Sequence, residues 1–123
     1  MKNRFLALTL YIAMIFLPVS AVQAAEFSGK YLLQICSSDK MGKELVERGH
    51  TACQAYIAGL MDYHNLIKSL RTAPGIDFCI PEGTSLTQLQ NVLVSYLLTS
   101  NLHDDFIASP AIVLAFHKAY PCK

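Results

Sequence analysis

Four cysteines, Cys36, Cys53, Cys79 and Cys122, are spread through a chain of 123 residues. Whether they are oxidised decides what the chain can fold into, because a domain of this size has only a modest core to hold it together. The opening residues bear on that question. Met1-Lys2-Asn3-Arg4 carries two positive charges and is followed by an apolar run over residues 5–17, then Pro18 and a stretch of small or branched residues ending at Ala24. This is the order of charged region, hydrophobic region and cleavage site in a secretory signal peptide, with Val22 and Ala24 at positions −3 and −1. The run is shorter than the ~18 apolar residues of a membrane span. No cysteine stands at the cleavage point to carry a lipid. The expectation is a signal peptide, residues 1–24, removed from an exported domain, residues 25–123, that works in a bacterial periplasm without a membrane anchor.

An even number of cysteines in a short exported domain points to two disulfides. The spacings offer no C-x-x-C or C-x-x-H pair of the kind that holds structural zinc, so neither a metal nor another cofactor is expected. Loss of Lys2 and Arg4 with the signal turns the formal net charge of +1 into −1. That balance lacks the basic footprint of a nucleic-acid binder. A hydrophobic fraction of 53%, in which the signal takes part, leaves long aliphatic stretches in residues 25–123, enough for one folded domain.

Those stretches recur with helical spacing, and no strand of convincing length interrupts them. A first helix over residues 27–37 has Tyr31, Leu32 and Ile35 as its apolar stripe. The polar segment 39–50 reads as a surface connection, with room for one helical turn around Lys43 to Glu47. A second and longest helix opens with Thr51 and Gln54 in capping-box spacing. Its stripe is Tyr56, Leu60, Tyr63 and Ile67, widened by Ile57, Met61 and His64, and Arg71-Thr72-Ala73-Pro74-Gly75 ends it. Ser85 and Gln88 form a second capping box before a third helix with Leu86, Leu89, Val92, Leu93, Tyr96 and Leu97 on one face. Ser109-Pro110 marks the start of a fourth, as an N-cap followed by proline at the first helical position, and Pro121 closes it. The fold class is all-α: a small disulfide-stapled bundle of four main helices.

Three pairings of four cysteines are possible. Antiparallel neighbours put Cys36, at the end of the first helix, beside Cys53, at the start of the second, and bring Cys79 to Cys122 in the same way. Joining Cys53 to Cys79 would require the chain to run back along the second helix, about 27 Å, within a few residues. The expected bridges are Cys36–Cys53 and Cys79–Cys122.

Catalytic signatures are missing: there is no G-x-S-x-G elbow, no phosphate-binding glycine loop and no H-E-x-x-H. Asp62 and His64 are two apart on one helix and point in different directions. His50 and His117 read as surface residues with no partner that the sequence can name. With helix faces committed to the core and the bridges tying helix ends, loops 71–77 and 100–105 are left to carry binding. The second is favoured, because Asn101, His103, Asp104 and Asp105 place several hydrogen-bonding groups in a short span.

With these elements in place the chain resembles the Rap/Tai-type immunity proteins of type VI secretion. The resemblance is carried by Cys53-x-x-Tyr56-x-x-Gly59-x-x-Asp62, Phe78-Cys79-x-Pro81, Gln88-Leu89 with Val92, Tyr96-Leu97, Ala115-Phe116 and Tyr120-Pro121-Cys122. Tyr120 departs from the phenylalanine more usual there and keeps the aromatic ring. These positions are structural: Gly59 is expected to permit close helix packing, Pro81 to set the entry into the third helix, and Asp62 is either a buried hydrogen-bonding residue or solvent-facing. The resemblance implies a non-enzymatic periplasmic protein that binds and occludes a secreted peptidoglycan amidase effector, and it favours a homodimer. A small periplasmic acid-stress chaperone, or another helical binding protein, is the competing reading. Its encouragement is limited, since histidine is the side chain that charges near pH 6 and only four are present.

Overall fold

In the computed structural model, residues 27–100, 105 and 107–123 are described. They form four helices, α1 (Gly29–Cys36), α2 (Gly49–Ser69), α3 (Leu86–Thr99) and α4 (Ala108–Ala119), and no strand among the described residues. Isolated antiparallel bridges join Ser28 to Ile107 and Ser38 to Glu44. α1 packs on all three other helices, α2 on α3, and α3 on α4. No helix among the described residues is long and apolar enough to cross a membrane.

The core is built where the helical period repeats. α4 buries Ala108, Ala111, Ile112, Ala115 and Phe116, one stripe whose small residues let the helices approach closely. α3 adds Leu89, Leu93 and Leu97, α1 adds Leu32 and Ile35, and α2 adds Cys53 and Ile57. Gln90 is a buried polar residue in this apolar setting, and both polar atoms of its amide are hydrogen-bonded. Its Nε2 donates to the Cys36 carbonyl at 2.7 Å and its Oε1 accepts from Gln54 Nε2 at 2.9 Å. One side chain thereby satisfies a carbonyl that the end of α1 leaves without a helical partner.

Both disulfides form as the helix-end geometry requires. Cys36–Cys53 has a Cα separation of 5.2 Å and Cys79–Cys122 one of 4.9 Å. The capping box of α3 is present, with Ser85 Oγ accepting from Gln88 N–H and Gln88 Oε1 from Ser85 N–H. Ser28 caps α1 in the same manner, accepting from Tyr31 N–H, so α1 begins two residues later than its apolar pattern.

Several expectations are corrected. α2 starts at Gly49 rather than Thr51, and Gln54 does not cap it, because its amide is spent on Gln90 and, at 3.5 Å, on the Thr87 hydroxyl. The buried row of α2 is Cys53, Ile57 and His64, while Tyr63 is exposed and Tyr56, Leu60 and Ile67 are half-buried. The disulfide fixes this rotation, since Cys53 must face α1 and residues four and eleven further on share its side. Residues 43–47 form no helical turn; the segment folds back on itself through the Ser38–Glu44 bridge. α4 starts at Ala108, whose N–H donates to the Phe27 carbonyl at 2.7 Å, so Ser109 is not its N-cap. Pro110 still falls in the first turn, where no intrahelical donor is lost. Gly59 is exposed, with nothing within 4 Å of where a Cβ would sit. The close approach is made by Gly49, whose Cβ would stand 2.6 Å from the Ile35 carbonyl oxygen. Asp62 faces solvent.

The end of α2 is a Schellman motif, with Thr72 N–H donating to the Ile67 carbonyl and Arg71 N–H to that of Lys68. Arg71 occupies the left-handed position, at φ 57°, that glycine usually fills.

Candidate functional site

Of the loop residues expected to bind a partner, Asn101, His103 and Asp104 lie outside the described residues. Asp105 is described and exposed. It stands two residues before the Ile107–Ser28 bridge, which ties the chain to the start of α1. The other candidate loop, 71–77, is less free than its sequence suggests. Its first residues close α2, and its last, Asp77, is the centre of the densest polar cluster among the described residues.

Four groups converge on Asp77. Lys68 Nζ donates to both carboxylate oxygens at 3.2 Å, and Phe78 N–H donates to Oδ1 at 2.8 Å. His117 Nδ1–H donates to the backbone carbonyl at 2.7 Å. His64 Nε2 is buried and lies 2.9 Å from Oδ1, off the line that a hydrogen bond requires, so this is a close polar contact rather than a formed bond. Partial desolvation works against the Asp77 charge. The hydrogen bond and charge of Lys68, the Phe78 N–H and the neighbouring His64 outweigh it and hold the pKa below the usual carboxylate value. The His64 ring stacks on Phe78 at 4.0 Å, and Phe78 meets Phe116 edge-on at 5.6 Å, so an aromatic column runs from α2 to α4.

Sequence reasoning missed this cluster. His64 and Asp77 are separated by a helix end and a turn, and nothing in their spacing announces the contact. The available signal was that His64 falls on the same stripe as Cys53 and Ile57: a histidine on a buried face requires a polar neighbour. His50 and His117 are likewise not partnerless, for His50 Nε2 is hydrogen-bonded to Ser38 Oγ at 3.1 Å, with Glu44 3.7 Å from its other nitrogen.

Chemically the cluster is limited. Asp77 Oδ and the sulfurs of Cys79 and Cys122 lie within 4.8 Å of one another. Both sulfurs are tied in a disulfide, so they offer neither a thiolate ligand nor a nucleophile. Beside the cluster an apolar groove of about 480 Å³ runs between α2 and α4, with Tyr63, Ile67, Ile76 and Val113 in its walls. The arrangement presents surface for contact and assembles no nucleophile–base pair.

Comparisons with known proteins give one result. No curated protein and no solved structure matches the chain. A family model does, that of the Rap1a immunity proteins, over residues 28–122, which takes in all four helices and both disulfides. The chain belongs to the Rap1a immunity protein family.

Proposed function

We propose that this immunity protein is exported to the periplasm after removal of residues 1–24 and there binds and occludes a type VI secretion peptidoglycan amidase, without catalysing a reaction itself. The observation that carries the reading is the family match over the whole bundle, in a chain that opens with a signal-like segment and whose four cysteines are all paired. Paired cysteines belong to an oxidising compartment, which is also where an enzyme that cuts the cell wall does its damage. Occlusion suits a small rigid bundle, since blocking a catalytic groove needs shape and charge and no chemistry of its own. Asn101, His103, Asp104 and Asp105 form the proposed contact loop. Its acidic pair suits a groove containing a protonated histidine, as a cysteine–histidine amidase provides.

The test is inhibition of purified type VI peptidoglycan amidases by the oxidised protein. One of them should be silenced near molar equivalence. Reversing Asp104 and Asp105 to lysine should weaken that complex at least about tenfold, with helicity and melting unchanged. Full inhibition by the double variant would remove the loop from the contact. Undiminished cleavage by every amidase in the presence of excess wild-type protein would remove the reading itself.

A further inference from the structure

At the opposite end of α1 from Asp105 lies the largely exposed segment 37–48. Eight residues of helix separate the two ends, about 12 Å at 1.5 Å per residue. This segment contributes little to the bundle. Val46 packs against the core, whereas Met41 is 93% exposed, Leu45 is 56% exposed, and residues 38–43 all face solvent. A loop with so little buried apolar surface would ordinarily fluctuate, yet this one is held at every level.

Its base is clamped by the Cys36–Cys53 disulfide and by Gly49, which sits directly on the Ile35 carbonyl. Its sides are joined by Leu45 N–H donating to the Ser37 carbonyl at 3.2 Å and by the Ser38–His50 hydrogen bond. Its tip is a turn closed on itself. Asp39 N–H donates to the Lys43 carbonyl and Gly42 N–H to the Asp39 carbonyl, while Asp39 Oδ1 accepts from the N–H groups of Met41 at 2.8 Å and Lys43 at 2.9 Å. Gly42 takes a φ of 81°, which its lack of a Cβ permits.

The arrangement gives the tip a definite chemistry. The Asp39 carboxylate is turned inward onto its own backbone, and Glu44 lies beside His50. Asp39 keeps its charge with one carboxylate oxygen bound to the backbone, and Lys40 and Lys43, on either side of Met41, are the charged side chains at the tip that have no partner among the described residues. A flexible apolar side chain on a fixed stalk, with a cation on either side, is an arrangement made for insertion. Methionine is enriched in the buried centres of protein interfaces, and a loop already ordered in the free protein loses little entropy on binding. A partner must then offer an apolar depression with an acidic rim.

We propose that the 37–48 loop is a preformed probe that seats Met41 in an apolar, acid-rimmed depression on the secreted amidase, with Lys40 and Lys43 on the rim. The proposal rests on the effector-binding reading above and adds to it a second contact of opposite charge. A standard interface covers about 800 Å² per partner, wide enough to span both ends of α1.

The experiment uses a type VI peptidoglycan amidase that the wild-type protein inhibits. Four proteins are titrated against it: wild type, Met41→Asp, Met41→Leu and the double reversal Lys40→Glu/Lys43→Glu. Because these side chains are exposed, all four should share one far-ultraviolet spectrum and one melting midpoint. Met41→Asp should weaken inhibition about tenfold or more, and Met41→Leu should stay near wild type. The double reversal should weaken inhibition by a similar factor and flatten its dependence on salt. Wild-type affinity in both Met41→Asp and the double reversal, with inhibition itself intact, overturns the probe and leaves the effector-binding reading standing. A change in self-association with no change in inhibition also overturns it, by making the loop a contact between copies of this chain. If the wild-type protein inhibits no amidase of the class, both readings fall together.

Discussion

Cys36–Cys53 and Cys79–Cys122 close their loops over nearly the same Cα distance, yet their surroundings have little in common. The first is part of the core: both cysteines are buried, Gln90 bonds the Cys36 carbonyl, and Gly49 packs on the neighbouring turn of α1. The second lies at the surface, with Cys79 exposed and both sulfurs beside Asp77, joined to the bundle through the Cys79 N–H bond to the Tyr120 carbonyl and the Phe78 ring. One bridge is packed by the fold, and the other ties down its margin. Loop entropy ranks them the opposite way. The exposed bridge closes 43 residues against 17, an advantage of about 0.8 kcal/mol for the longer loop.

The largest effect expected is that packing reverses this ranking. Replacing Cys36 and Cys53 by alanine removes a loop constraint of about 3 kcal/mol and two buried sulfurs at about 1 kcal/mol each. The Cys79/Cys122 pair gives up about 4 kcal/mol of constraint and little packing. Urea unfolding of the two double-alanine variants should find the first less stable by about 1 kcal/mol. Dithiothreitol followed by alkylation and peptide mapping should show Cys79 and Cys122 labelled first, because a buried sulfur is out of reach of an attacking thiolate. Equal stabilities together with simultaneous reduction would erase the distinction between the two ends.

Gly49 sharpens the comparison at the buried end. Gly49→Ala forces a methyl into the Ile35 carbonyl and should destabilise by about 1–3 kcal/mol. Gly59→Ala, in open space on the same helix, should instead stabilise by up to about 1 kcal/mol. Thermal midpoints of the pair decide whether the tight packing sits where the structure puts it.

Two smaller effects belong to the exposed end. Arg71 is held in a left-handed conformation that disfavours a side chain, so Arg71→Gly should raise stability by up to about 1 kcal/mol, less the entropy that glycine returns to the unfolded chain. Asp77 should show a modest pH effect, since its carboxylate is partly in solvent and its ion pair is screened. Its folded pKa is lowered, so its contribution is fully present above the unfolded carboxylate value near 3.8. It is lost as the pH falls from there through the folded value. The stability difference between wild type and Asp77→Asn should therefore persist at neutral pH and vanish in acid. A difference that grows on acidification would mean the ion pair is misassigned.

At both ends of the molecule the sequence made local signals legible and hid the contacts that a neighbouring helix or turn supplies. The apolar spacing of α3 and α4, the Ser85–Gln88 box and both disulfide pairings follow from periodicity and helix-end geometry, which act within a few residues or across neighbouring ends. The rotation of α2 was not visible, because tyrosine, leucine and isoleucine on two adjacent stripes compete, and only the disulfide selects between them. The role of Gly49 was hidden for a related reason: a close approach depends on the partner helix, and Gly59 has the same local context without the neighbour. Asp77 and His64 are brought together by the turn after α2, and the stapled loop tipped by Met41 looks in sequence like an ordinary polar connection. Its rigidity comes from backbone hydrogen bonds that composition does not encode. Of the contact loop first favoured, Asp105 alone is among the described residues.

The central claim is that this chain protects a cell from a wall-cutting effector by binding it outside the cytoplasm. It is tested most directly by directing a type VI peptidoglycan amidase to the periplasm of a laboratory bacterium and following lysis while this chain is co-expressed, once in full and once without residues 2–24. The account predicts survival with the full chain and lysis with the version that cannot be exported. Lysis despite export of the full chain against every amidase of the class, or equal protection by the version retained in the cytoplasm, would contradict it.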